Sequence, residues 1–138
     1  MITMKEILKD VEIETLPKEH QDNLIKLLDM LNKLRTAYAK PLRITSGYRS
    51  IETHLRIYRD KGITDKAKIP MKSKHLFGLA CDFADPDGKL KAWVGANMPL
   101  MESIGLWFED FNATFGWLHV QIMPYGSWKP GKSRCFKP

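Results

Sequence analysis

The chain is poor in cysteine and contains no long run of apolar residues. Its 138 residues include two cysteines, Cys81 and Cys135, whose spacing matches no metal-binding or redox motif, so we expect free thiols in a reducing cell. No apolar run approaches the length of a membrane span, and residues 1–6 are charged too early for the apolar block of a secretory signal. These absences predict an unprocessed, soluble chain with no membrane insertion and no disulfide.

Composition favours one small domain. Hydrophobic residues make up 43% of the chain and four tryptophans are present, which is enough to build a core without disulfides or oligomerisation. We therefore expect a single domain over residues 1–138, and a monomer. The formal net charge of +6 suits nucleic acid, an anionic surface such as a bacterial cell wall, or solubility alone. Because the basic residues are scattered and no nucleic-acid-binding motif is present, we expect no nucleic-acid partner.

Two short segments contain a metal-binding pattern. The first includes His75 and Asp82, which are too far apart for neighbouring turns of one helix. The chain between them must reverse, and Gly78 is the residue suited to that reversal. Asp82 then lies on a strand whose successive residues face opposite sides. In the second segment His119 alternates with apolar neighbours, which predicts a strand with one face in the core and one at a polar site.

Two imidazoles and one carboxylate suit an open metal site. Three protein ligands leave the fourth tetrahedral position of zinc to water, as in catalytic sites, although manganese, nickel or cobalt also suits such ligands. Zinc activates water and polarises a carbonyl, so the pattern predicts hydrolysis of an amide or ester. A general base is also required, and Glu109 is preferred to its neighbour Asp110. Asp85 and Asp87 belong to a Pro-Gly turn and are left out of the site.

Three segments together resemble a family of peptidoglycan peptidases. They read Ser-Gly-Tyr-Arg-Ser (residues 46–50), S-x-H-x-x-G-x-A-x-D (residues 73–82) and Trp-Leu-His-Val (residues 117–120). The family includes D-alanyl-D-alanine carboxypeptidases, D-Ala-D-Ala dipeptidases and phage L-alanyl-D-glutamate endolysins. The resemblance implies a hedgehog/DD-peptidase-like fold with zinc bound by His75, Asp82 and His119. It also implies substrate binding by Tyr48, Arg49 and Ser73, with Arg49 stabilising charge on the scissile carbonyl.

The chain departs from this family at the catalytic carboxylate. Many members place that carboxylate three residues before the last histidine and others about six before, where this chain has Gly116 and Ala113. Glu109, or with less support Asp110, is then expected to supply it from the preceding strand across a long hairpin loop. The alternative is a zinc-containing module that binds cell-wall peptide without turnover. A basic nucleic-acid-binding domain is a weaker third hypothesis.

The expected context is a phage or prophage endolysin that hydrolyses a peptide bond in the peptidoglycan stem. Such a protein is made in the cytoplasm of a bacterial host and acts on the cell wall after release. The pattern does not distinguish an endopeptidase from a carboxypeptidase.

The order of elements predicts an α+β domain with a small antiparallel sheet and helices packed on one side. A short helix over 3–9 precedes a long one that starts at Pro17 and carries a leucine stripe. A strand is expected over 41–48, a helix from Ser50 to about Asp60, and a mobile lid beside the site over 63–72. His54 is expected to be a surface or packing residue. Residues 89–105 should be helical, kinked or split at Pro99, followed by a hairpin and an irregular tail from residue 124.

Overall fold

The computed structural model describes residues 1–137, and this range contains helices and strands in an α+β arrangement, as predicted. The helices are α1 (Met4–Leu8), α2 (Lys18–Tyr38), α3 (Ile51–Asp60), α4 (Lys89–Ala96) and α5 (Met98–Ile104). The strands are β1 (Ile44–Ser46), β2 (Ala80–Ala84), β3 (Trp107–Glu109), β4 (Trp117–Gln121) and β5 (Cys135–Phe136). None of the helices in this range has both the length and the apolar composition needed to cross a membrane.

The strands form one sheet in the order β1-β2-β4-β3-β5. Neighbouring strands are antiparallel except for β3 and β5, which are parallel. The prediction of an irregular tail was therefore wrong at Cys135 and Phe136. This short strand, β5, pairs with the edge of β3 through backbone hydrogen bonds. The composition of the tail, which is rich in proline, glycine and lysine, does not predict a strand.

One face of the sheet packs on the helices. Residues that alternate along β2 and β4 are fully buried there, and Phe108 of β3 joins them. They meet the leucine stripe of α2 together with buried residues from α1, α4 and α5. Burial of this apolar surface is the main force that holds the layers together. The opposite faces of the same strands are consequently free to present polar groups.

Three element boundaries differ from their predicted positions. Pro17 is the N-cap of α2 rather than its first residue. The predicted strand over 41–48 is reduced to β1, and its pairing with β2 is irregular between Ile44 and Ser46. The helical stretch over 89–105 is split at Asn97, and Pro99 lies in the first turn of α5, where its missing N–H has no helical partner to lose.

Two glycines determine how the loops reach the site. Gly78 has φ of 75° and ends the 3-10 turn Lys74–Phe77, so the predicted reversal before β2 is confirmed. Gly47, directly after β1, lies against α1: a Cβ added to it would be 2.3 Å from the carbonyl oxygen of Ile7. Glycine is therefore required here for close approach of two backbones rather than for an unusual φ.

Candidate metal centre

The sheet register lines up a row of side chains across its open face. Ser46 pairs with Asp82, and Asp82 pairs with His119. Trp107 and Phe108 of β3 pair with Gln121 and Val120 of β4, and this register extended by one residue places Glu109 opposite His119. Glu109 also pairs with Phe136. Directly opposite residues project to the same face and lie close together. The row therefore brings two of the predicted metal ligands and the predicted general base to one place.

The third predicted ligand reaches this row from the 3-10 turn before β2. His75 Nε2 lies 3.3 Å from Asp82 Oδ2, and His119 Nδ1 lies 2.8 Å from Asp82 Oδ1. One potential ligand atom from each of these three residues lies within 4.8 Å of the others. All three side chains are nearly inaccessible to solvent. The fold thus brings the two imidazoles and the carboxylate together around a common point.

The hydrogen-bond arrangement of the two imidazoles fits a cation at that point. His75 Nδ1 lies 2.8 Å from the carbonyl oxygen of Gly47, and His119 Nε2 lies 2.9 Å from Gln121 Oε1. The other nitrogen of each ring faces Asp82. A neutral imidazole has one N–H, so it can donate to only one of the two acceptors that its nitrogens face. The other nitrogen requires a second proton or a metal ion between it and its acceptor. A divalent metal ion bound by both histidines and Asp82 would satisfy the two rings at once.

The pKa values of Asp82 and His119 in the metal-free site also indicate that the site attracts positive charge. Burial tends to raise the pKa of Asp82, but the hydrogen bonds and charges of His119 and His75 outweigh it and hold that pKa well below its usual range. Burial tends to lower the pKa of His119, but the hydrogen bond and charge of Asp82 raise it overall. Asp82 therefore stays ionised, and the adjacent His119 binds a second proton more readily than a free imidazole. Together these two side chains favour a positive charge between them.

Arg49 occupies the β1 side of the site. Its Nε donates to Ser46 Oγ at 3.0 Å, and its Nη2 lies 3.9 Å from Asp82 Oδ2. Its Nη1 lies 3.5 Å from Nδ1 of His54. His54 is fully buried, and its Nε2 lies 2.9 Å from the carbonyl oxygen of Pro70. The predicted packing role of His54 therefore includes a polar link between Arg49 and the segment that was predicted to be a lid.

An open cleft of about 580 Å³ lies beside the row. Its wall comes from the end of the predicted lid segment, the turn that follows it and the strands β3 and β4. The lining residues are Tyr58, Pro70, Met71, Lys72, Ser73, Lys74, Glu109, His119 and Gln121. The predicted lid therefore does border the site, while its mobility stays a prediction.

Glu109 and Asp110 have different surroundings. Glu109 lines the cleft and is half-buried, and this burial raises the pKa of its carboxyl. The side chain of Asp110 instead accepts a hydrogen bond of 3.0 Å from the backbone N–H of Asn112, and so starts the 3-10 turn Phe111–Ala113. Glu109 therefore borders the cleft together with His119, whereas the Asp110 side chain is engaged in the turn.

The predicted substrate-binding residues are placed differently from one another. Ser73 lines the cleft and Arg49 touches Asp82. Tyr48 does not line the cleft, because its hydroxyl lies 3.1 Å from His20 Nδ1 of α2 and its ring packs against the core. Its role in substrate binding stays a prediction without support from this placement.

Sequence reasoning assigned no role to two further residues at the centre. Gln121 was expected on the polar face of its strand, but its contact with His119 was not foreseen. Phe136 lies with its ring centroid 6.0 Å from that of His119, at an interplanar angle of 90°. Alternation along β4 was a usable signal for Gln121, whereas Phe136 depends on β5, for which the sequence offers no signal.

Three convergent ligands beside an open cleft and a half-buried carboxylate are the arrangement of a metallohydrolase. A family model described as Peptidase M15 matches residues 1–99, and the chain belongs to this peptidase family. The matched range includes His75 and Asp82 and ends before β3 and β4. No curated protein and no solved structure matches the chain.

Proposed function

We propose that the protein is a zinc-dependent peptidase that hydrolyses a peptide bond in the stem peptide of peptidoglycan. The observation that carries the proposal is the convergence of His75 Nε2, Asp82 and His119 Nδ1 beside an open cleft. In a chain of the peptidase M15 family, this donor set would hold zinc with a position left for water or substrate. Bound zinc would supply an activated water and polarise the scissile carbonyl.

Glu109 is the proposed general base. It lines the cleft together with His119 and directly follows Phe108, which pairs with Val120, so its carboxylate borders the place where the peptide would sit. Burial raises the pKa of Glu109, which makes the carboxylate a better proton acceptor than an exposed one. Glu109 would accept the proton of the attacking water and return it to the leaving amine.

Arg49 is the proposed partner of substrate charge. Its guanidinium is held by Ser46 and directed at Asp82, so it lies on the side of the metal centre away from Glu109. A planar guanidinium in this place suits a substrate carboxylate or a carbonyl oxygen that gains negative charge. Lys72 and Lys74 add positive charge to the cleft wall, which is consistent with the acidic stem peptides of the cell wall.

The biological context is part of the proposal. We expect a phage or prophage endolysin that is made in the cytoplasm of a bacterial host and acts on the cell wall after release. We also expect it to work as a monomer without a nucleic-acid partner. The support for this context is the resemblance of the three motifs to endolysin-type peptidases, together with a basic chain suited to an anionic wall.

A binding module without turnover is the second candidate. It is favoured by Gly116 and Ala113, which occupy the two positions where related peptidases place their catalytic carboxylate. A module of this kind would use the same zinc ligands and Arg49 to hold a stem peptide. Glu109 would then have no role in chemistry.

Digestion of purified peptidoglycan by the zinc-loaded protein tests both candidates. Mass spectrometry of the new amino and carboxyl termini identifies the bond that is cut. Glu109→Gln should remain folded and zinc-loaded but lose about a hundred- to ten-thousand-fold in rate, while the matched control Asp110→Asn should retain activity. Equal activity in parent and Glu109→Gln would refute the assignment of the base. Binding of stem peptide without new termini would favour the module.

A further inference from the structure

We infer that Gln121 positions His119 for zinc by holding the imidazole in the tautomer that presents Nδ1 to the metal. The inference rests on the proposed zinc site and adds a residue that is not itself a ligand. Gln121 lies on β4 two residues after His119 and is 2% exposed. A buried amide is costly unless its donors and acceptor are paired. We therefore expect both the nitrogen and the oxygen of the Gln121 amide to have hydrogen-bond partners.

The partners of the amide determine which way it points. Gln121 Nε2 lies 2.7 Å from the carbonyl oxygen of Met123, and Gln121 Oε1 lies 2.9 Å from His119 Nε2. A backbone carbonyl only accepts, so the amide nitrogen must be the group that donates to Met123. The reversed amide would place two oxygens against each other. Oε1 is thereby left as an acceptor for a proton on His119 Nε2.

A proton held on Nε2 leaves the lone pair of His119 on Nδ1. This nitrogen lies 2.8 Å from Asp82 Oδ1, so Nδ1 and the carboxylate are directed at the same point. His75 uses the opposite assignment, because its Nδ1 donates to the Gly47 carbonyl and its Nε2 faces Asp82. Both imidazoles are therefore oriented by their second nitrogen, as metal-binding histidines commonly are.

The two orienting groups differ in one respect that makes a test possible. His75 is oriented by a backbone carbonyl, which no side-chain substitution removes, whereas His119 is oriented by a side chain. Without Gln121, the neutral ring of His119 would move its proton to Nδ1 and donate it to Asp82, since a carboxylate is the stronger acceptor. That hydrogen bond would occupy the lone pair and the carboxylate oxygen that zinc requires.

Zinc affinity, measured by competition with a chelator, tests the assignment through two variants. Gln121→Met keeps the length of the side chain but removes the acceptor, and should weaken zinc binding by about 10- to 100-fold. Val120→Ala is the matched control, because this neighbour on β4 faces the core and its truncation should lower the melting temperature without weakening zinc binding.

Nitrogen-15 NMR of the histidine rings in the zinc-loaded parent gives a readout that requires no variant. We expect zinc on Nδ1 of His119 and a slowly exchanging proton on Nε2. Zinc on Nε2 of His119 would overturn the inference even if Gln121→Met failed to fold. Equal zinc affinity in Gln121→Met and parent would also overturn it. A parent that binds no zinc would instead refute the proposed function itself.

Discussion

Substitution of Gly47 by alanine should weaken the metal centre without changing a ligand. The added Cβ would lie 2.3 Å from the carbonyl oxygen of Ile7 and 2.9 Å from its Cα. Ordinary Cβ contacts begin near 3.4 Å, so the backbone after β1 must retreat from α1 by about 1 Å. Two hydrogen bonds depend on the present position: Tyr48 N–H donates to Ile7 at 3.0 Å, and His75 Nδ1 donates to Gly47 at 2.8 Å.

The expected magnitude follows from these contacts. Overpacking of a well-packed contact costs about 1–3 kcal/mol, and the strained Tyr48 hydrogen bond adds about 0.5–1.5 kcal/mol. The free energy of unfolding of the metal-free protein should therefore fall by about 1.5–4.5 kcal/mol. Because the carbonyl of Gly47 orients His75, zinc affinity should fall as well, by about 10- to 100-fold.

Urea denaturation of the metal-free protein and chelator competition for zinc measure the two effects separately. Gly126→Ala is the matched control, since no atom lies within 4 Å of an added Cβ there and the backbone φ is not in the left-handed region. If Gly47→Ala is as stable as Gly126→Ala and binds zinc as tightly, then Gly47 does not lie against Ile7 of α1 and this contact does not support the zinc ligands.

Three further predictions concern the centre itself. His75→Ala, Asp82→Ala and His119→Ala should each abolish stoichiometric zinc in elemental analysis, and full retention by all three would exclude the site. Arg49→Lys should remain folded and zinc-loaded but lose peptidase activity, because a lysine lacks the planar guanidinium. A large fall in melting temperature would instead indicate a structural role. Glu109 has a raised pKa, so its contribution to stability is present below the ordinary glutamate pKa and is lost as pH rises through the raised value. In metal-free protein, Glu109→Gln should therefore melt no lower than the parent at neutral pH, and a consistently lower melting temperature there would contradict this sign.

Prediction from sequence succeeded where a pattern is local. The spacing of His75 and Asp82 around Gly78 contains a turn and a strand start, and both depend on backbone preferences that neighbouring residues express. Alternation along β4 likewise predicted which side of the strand His119 occupies. The α2 leucine stripe could be read from helical periodicity alone.

Contacts between distant segments could not be read in this way. The place of Glu109 opposite His119 depends on the β3–β4 register, and the contact of Phe136 with His119 depends on a tail strand that pairs with β3. Tyr48 was expected at the site but meets His20, because the docking of α2 decides where that ring packs.

The residue types and spacings of the sequence by themselves determined the α+β class, the three ligand candidates and the peptidase resemblance. Only the tertiary structure decided which carboxylate lines the cleft beside His119 and which group each imidazole faces. The physical reason is range: turns, caps and alternation arise from interactions within a few residues, whereas register and hydrogen-bond partners arise from backbone pairing between segments far apart in the chain.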